Sequence, residues 1–186
     1  MGSQKIHRVL AGLLAATILL IPFSPVFAYD NPELLPKVKT PVIDLARTLS
    51  ESQRSKLEKG LKEYEDETGW KIRVLSQYER TPGLAVREYW DLDERSLLVI
   101  ADPRGGNLLN FNVGDALFAL MPRIFWVELQ TRFGNQYYVR EHGEDGAILD
   151  AVSTVEGCLS SGERLRGSIW PGNQCFGFRR LIKHVL

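Results

Sequence analysis

Leu97-Leu98-Val99-Ile100-Ala101-Asp102-Pro103-Arg104-Gly105-Gly106-Asn107-Leu108-Leu109-Asn110-Phe111-Asn112-Val113-Gly114 is the stretch that decides the fold. Its first four residues are apolar without interruption, as in a strand buried on both faces. Leu109, Phe111 and Val113 alternate with asparagines, as in a strand with one exposed face. The Asp102–Asn107 turn between them makes the pair antiparallel, the first strand central and the second nearer an edge. Upstream, Trp70 to Tyr78 alternates around Ile72 and Val74 and reads as a further strand. Thr81-Pro82 then opens a helix, with proline at its first position, that runs to about Trp90. Strand, helix, strand is a βαβ unit, expected to cross over right-handed. The expected class is therefore α/β: a three-layer-like domain whose central mixed β-sheet (one βαβ unit plus an antiparallel hairpin) is flanked by helices. Asp102 lies at the carboxyl end of the central strand, where open α/β sheets bind ligands.

Other segments fit around this sheet. Ser50 followed by Gln53 forms a capping box, and Leu57, Leu61 and Tyr64 supply an apolar stripe, so a helix runs from about Glu51 to Glu67 and ends at Thr68-Gly69. Asp115 is placed to cap a helix through Leu120, and Pro122 interrupts it. Arg123 to Phe133 restarts with Phe125, Trp126 and Leu129 on its apolar face. Tyr137 to Arg140 reads as either strand or loop. Asp145 to Leu159 is a final amphipathic helix bearing Ile148, Val152 and Val155.

The ends carry a different message. Lys5, His7 and Arg8 precede the apolar run Val9 to Ile21, and Val26-Phe27-Ala28 has small residues suited to signal peptidase. Residues 1–28 are thus expected to be a signal peptide cleaved after Ala28, leaving no integral membrane span; an uncleaved anchor is the alternative. The apolar run, about thirteen residues long, is short for a stable span. Residues 29–40, with Pro32 and Pro36, form an extended leader, 41–160 the domain, and 161–186 an irregular basic tail. Export to a thylakoid lumen or a periplasm follows.

The whole chain is formally neutral. From Tyr29 to Ser160, however, 16 Lys and Arg stand against 22 Asp and Glu, a net of −6. An acidic globular part argues against nucleic acid as partner, since phosphate backbones demand clustered cations. Cys158 and Cys175 are the only cysteines, and an exported chain permits a disulfide between them.

Several of these pieces coincide with a known family. Val42, Asp44, Ala46, Leu49 and Ser50, then Glu67-Thr68-Gly69 before an Ile-x-Val strand, then Asp102 and Arg104 in the turn and a second strand ending in Val-Gly resemble the TPM domain. Trp70 to Leu75, Asn110 to Gly114 and Phe125 to Asn135 look like the small lumenal TPM proteins of plants and their cyanobacterial relatives. The resemblance covers roughly Thr40 to Leu159. It implies an accessory role towards a membrane protein complex, photosystem II or its assembly and repair intermediates. As the alternative it implies a weak, metal-dependent acid phosphatase, since some members are so described and some bind calcium. One departure stands out: typical members carry Asp-Asn-Gly just before the central strand, and here Glu94-Arg95-Ser96 stands there.

The candidate metal ligands are Asp44, Glu94, Asp102 and Asp115. A calcium ion needs several carboxylate or carbonyl oxygens converging on one point. Each aspartate also has a local use: Asp44 as an acceptor in a turn, Asp102 in an Asx turn and Asp115 as a helix cap. Arg104, in its glycine-rich turn, is the candidate for holding an anion, against the plainer reading of an exposed turn arginine. His142, beside Gly143, is read as an exposed loop residue. Tyr137-Tyr138-Val139-Arg140 is a candidate recognition patch, against a share in the core. No catalytic residue is assigned, and no cofactor beyond calcium.

Overall fold

A computed structural model describes residues 30–164. The expected signal peptide with its cleavage point after Ala28, the tail beyond residue 164, and Cys175 as a partner for Cys158 lie outside the described residues. Four strands, β1 (Val42–Asp44), β2 (Lys71–Ser76), β3 (Ser96–Ala101) and β4 (Leu109–Val113), form one sheet in the order β1-β2-β3-β4. The first three are parallel and β4 is antiparallel to β3, with Val99 facing Phe111. The sheet is thus mixed, β3 is interior and β4 is an edge, as the apolar run and the alternating run imply. β1 was not expected; with three residues it is too short to show a period.

Helix α1 (Glu51–Thr68) starts where the capping box places it: the Gln53 N–H donates to the Ser50 hydroxyl, and the Gln53 side chain accepts from the Ser50 N–H. It stops at Gly69, whose φ of 70° suits a residue without Cβ. Helix α2 (Ala85–Tyr89) is shorter than the expected Thr81–Trp90. Gly83 takes a positive φ of 62°, and its N–H donates to the Thr81 hydroxyl, so Thr81-Pro82 belongs to a turn rather than to a helix start. Helix α3 (Asp115–Leu120) begins one residue earlier than a capping Asp115 would allow: Gly114 is the cap residue and Asp115 lies in the first turn. Helix α4 (Arg123–Phe133) is as expected.

Helix α5 (Gln136–Arg164) is bent at Gly143, which takes φ 79°. Its first arm contains Tyr137 to Arg140, so the strand and loop readings are both replaced. The cause is Asn135, whose side-chain oxygen accepts from the N–H groups of Tyr137 and Tyr138 and so starts the helix. His142 ends this arm, stacked on the Tyr138 ring at 4.2 Å.

Strand alternation sends side chains to two faces. Val42, Ile72, Val74, Leu97 and Val99 join Leu61 of α1, Phe125 and Leu129 of α4 and Ile148 and Val155 of α5 in the larger core. Ile43, Leu75 and Leu98 face the other way, under Val86 of α2 and Trp90. Layers of helix, sheet and helix result. The connections β1–α1–β2 and β2–α2–β3 run over opposite faces, although the three strands stand side by side in order. They therefore have opposite hands, and one of them departs from the right-handed rule.

The leader closes the second face. Leu35 packs on its core. The Asp30 carboxylate accepts from the Leu84 N–H, the Asn31 amide donates to the Thr81 carbonyl, and the hydroxyl of Tyr89 and the indole of Trp90 donate to the carbonyls of Val38 and Thr40.

Glu156, half-buried on α5, has its pKa raised above the ordinary 4.5 by burial. A carboxyl whose folded pKa exceeds its unfolded value binds protons more tightly when folded. It costs stability at neutral pH, and that cost fades as pH falls through the raised value towards 4.5. Glu156→Gln is accordingly expected to raise the urea midpoint at pH 7 and to leave it unchanged at pH well below 4.5. Equal midpoints at both pH values would contradict this.

Candidate functional site

The carboxyl ends of the parallel strands bring two of the four expected acids to one edge. β1 ends at Asp44, which is in register with Ser76 at the end of β2, and Ser76 with Ala101 at the end of β3. Asp102 follows directly. Their surroundings show what these carboxylates do. Asp44 Oδ1 accepts from the Thr48 N–H at 3.0 Å, from the Thr48 hydroxyl at 3.1 Å and from the Ser76 hydroxyl, while Oδ2 accepts from the Leu49 N–H at 3.0 Å. A carboxylate offers about four acceptor positions, so Asp44 is saturated. It clamps the turn between β1 and α1, a turn in which Arg47 holds a positive φ of 56°.

Asp102 is saturated in a parallel way. Its Oδ1 accepts from the backbone N–H and the Nε of Arg104, both at 3.0 Å. Its Oδ2 accepts from Arg104 Nη2 at 2.7 Å and from Gln77 Nε2 at 3.3 Å. The Arg104 side-chain bonds hold the Asp102 carboxyl below the usual carboxylate range. The candidate anion-binding arginine thus spends one fork of its guanidinium on its own neighbour. Ser76 is 1% exposed, which removes its hydroxyl from reach of a substrate.

The other two acids lie at the opposite end. Glu94 precedes β3 and Asp115 follows β4, and both line a cavity of about 420 Å³ with Asp93, Arg87 and Asn112. Six strand residues at about 3.3 Å each put this end roughly 20 Å from Asp44 and Asp102. Asp44, Glu94, Asp102 and Asp115 therefore do not converge, and among the described residues no group of three or more His, Cys, Asp or Glu side chains is arranged to hold a metal ion.

Arg95, the departure from the family pattern, faces neither set. Its Nε donates to the Gly69 carbonyl at 3.2 Å and its Nη2 to the Thr68 carbonyl at 3.1 Å, with the guanidinium 3.9 Å over the Trp70 ring. It closes the carboxyl end of α1, where a cation is favoured by the helix dipole. Asp93 beside it accepts from Lys71, Ser96 and the Arg95 N–H, and the Lys71 bond leads the causes that lower its pKa.

Sequence reading had passed over Ser76, Thr48 and Gln77 as partners of the two aspartates. The available signal was a serine and a glutamine directly after the apolar run of β2, at the same sheet edge as Asp102. Among the candidate patch residues, Tyr137 and Arg140 are exposed, Tyr137 at 83%. Tyr138 donates to Asp150 at 2.5 Å, and burial leads the causes that push its pKa up to about 12.

Comparison with known proteins places this geometry. A family model described as the TPM domain matches residues 42–158. The thylakoid lumenal 15.0 kDa protein 2, chloroplastic, of Arabidopsis thaliana is 40% identical over 161 residues, covering 84% of this chain and 72% of that protein. The solution structure of the N-terminal domain of a protein from P. gingivalis aligns with a TM-score of 0.58 at 17% identity, over 72% of this chain and 92% of that domain. That last likeness is one of fold.

Proposed function

The chain belongs to the TPM-domain family, and from that premise we propose that it is an exported accessory protein that binds a membrane protein complex instead of turning over a small substrate. The observation that carries this reading is the saturation of Asp44 and Asp102: each carboxylate already accepts four hydrogen bonds from its own chain. A cation or phosphoryl group at that edge would have to displace those donors first. The homology to a protein named as thylakoid lumenal supports the thylakoid lumen as the compartment, with a periplasm as its counterpart in a cell without thylakoids. Photosystem II, or its assembly and repair intermediates, is the complex that the resemblance to the lumenal TPM proteins implies. Among the described residues no helix is long and apolar enough to cross a membrane.

Affinity capture of the tagged protein from gently solubilised thylakoid membranes is expected to bring down photosystem II subunits. Phosphatase assay of the same preparation, with and without added calcium, is expected to show no turnover above that of Asp44→Asn. Robust turnover that the asparagine variant loses while remaining folded would establish the acid phosphatase instead.

A further inference from the structure

β1 pairs with only the last three residues of β2, Val74 to Ser76. The outer edge of β2 at Lys71 to Arg73 is left without a neighbouring strand, and a cavity of about 230 Å³ occupies the gap. We propose that this cavity is a binding site for a phosphate group.

The charge of its walls is the first support. Lys39, Lys62, Lys71 and Arg73 line it against Glu65 and Asp91, a surplus of two positive charges in a domain whose own balance is −6. Arg73 is the least exposed of the four cations: its side chain is 11% exposed, with Nη2 on Glu65 at 2.7 Å and Nη1 on the Ile72 carbonyl at 3.0 Å. Lys71 divides its donors between the Asp91 carbonyl and, outside the lining, the Asp93 carboxylate. Lys62, on the exposed side of α1, forms no ion pair among the described residues and is available to an incoming anion.

Asp91 is the second support. It stands in the left-handed region at φ 48°, one of two non-glycine residues at positive φ among the described residues. From there its exposed carboxylate reaches Lys39 at 2.6 Å. At the proposed site the Asp91 carboxylate is the group that an external dianion would displace from Lys39. Size agrees as well, because the space accommodates a phosphate together with several waters at about 30 Å³ each. Trp90 and Pro41 supply the apolar part of the lining, and the Trp90 indole is fixed by its bond to the Thr40 carbonyl. Polar groups converging on a partly apolar cavity are the usual form of a small-ligand site.

The test is titration of the isotope-labelled full chain at low ionic strength with inorganic phosphate and, separately, with glycerol 3-phosphate. The readouts are the backbone amide signals of Lys71 and Asp91 and the indole signal of Trp90. Saturable shifts in the roughly millimolar range or tighter are expected. Lys62→Glu should weaken binding about tenfold or more, and Asp91→Asn should tighten it several-fold by removing the competing carboxylate. Binding of both probes includes free phosphate among the ligands, and binding of the ester alone assigns the site to a phosphate carried on a larger molecule. Shifts that do not saturate, that acetate reproduces at equal ionic strength, or that survive Lys62→Glu would overturn the proposal. The site is independent of the accessory role, so neither result depends on the capture experiment.

Discussion

Gly114→Ala is expected to destabilise the domain by about 3 kcal/mol or more, the range of severe core overpacking. The residue sits where β4 gives way to α3, with an ordinary φ of −69°, so space and not backbone freedom demands glycine. A Cβ there would lie 2.5 Å from the Glu94 carbonyl carbon and 2.7 Å from the Asp93 carbonyl oxygen, and closer still to the Glu94 carbonyl oxygen. All three are main-chain atoms that cannot swing aside. The backbones are also tied together: the Gly114 N–H donates to the Ser96 carbonyl at 2.9 Å and the Ala116 N–H to the Glu94 carbonyl at 3.0 Å. Opening this junction would pull the start of β3 away from the end of β4. Urea unfolding of Gly114→Ala beside Gly106→Ala checks the argument, since a Cβ on Gly106 meets nothing within 4 Å. A loss for Gly114→Ala as small as that for Gly106→Ala would refute it.

Asp44→Ala should rank second, with a loss of about 3 kcal/mol. Removing the carboxylate strands the N–H groups of Thr48 and Leu49 and the hydroxyl of buried Ser76. Each unsatisfied donor costs about 1–3 kcal/mol, and losses within one network do not simply add. The clamp also holds Arg47 at its positive φ, a conformation that costs an L-residue roughly 1–2 kcal/mol. Asp44→Asn keeps one acceptor oxygen but presents a donor to the Leu49 N–H, so its loss should be about half. Denaturant midpoints of the three proteins give the order directly. The order matters for function, because activity or binding lost in Asp44→Ala alone would report an unfolding turn and not a missing catalytic group. Wild-type stability in Asp44→Ala would show the carboxylate to be free for other work.

Much of the framework was legible because it is local. The unbroken Leu97–Ile100 run and the alternating Leu109–Val113 run declared their burial, and Ser50 with Gln53 declared a helix start. What failed to show was short or set by distant groups. β1 has three residues and exists through its pairing with Val74 to Ser76. Tyr137 to Arg140 is helical because the Asn135 side chain caps it, a cue visible in the sequence but weaker than the two aromatic residues that follow. Gly83 ends the claim of Thr81-Pro82 to a helix start through one backbone angle. At the site, the two acids nearest the carboxyl edge were found; Thr48, Leu49 and Arg104 are local donors to them, but Ser76 at the end of β2 and Gln77 just after it reach them across the sheet. Spacing along the chain carries no information about that. Glu94 precedes the same strand that Asp102 follows, so it lies at the far end, and the antiparallel return of β4 brings Asp115 to that end beside it.

The leader that covers the second face has a consequence for the order of assembly. Asp30, Asn31, Val38 and Thr40 bond to residues 50 to 54 positions further along the chain. Contacts that close such long loops are entropically late. The leader leaves the ribosome and crosses any membrane ahead of the groups that will hold it, and it must wait for the Tyr78–Trp90 segment before it can settle. Until then Ile43, Leu75 and Leu98 face water, so this side of the sheet is where a nascent chain would be open to a chaperone, and where the finished protein should open first.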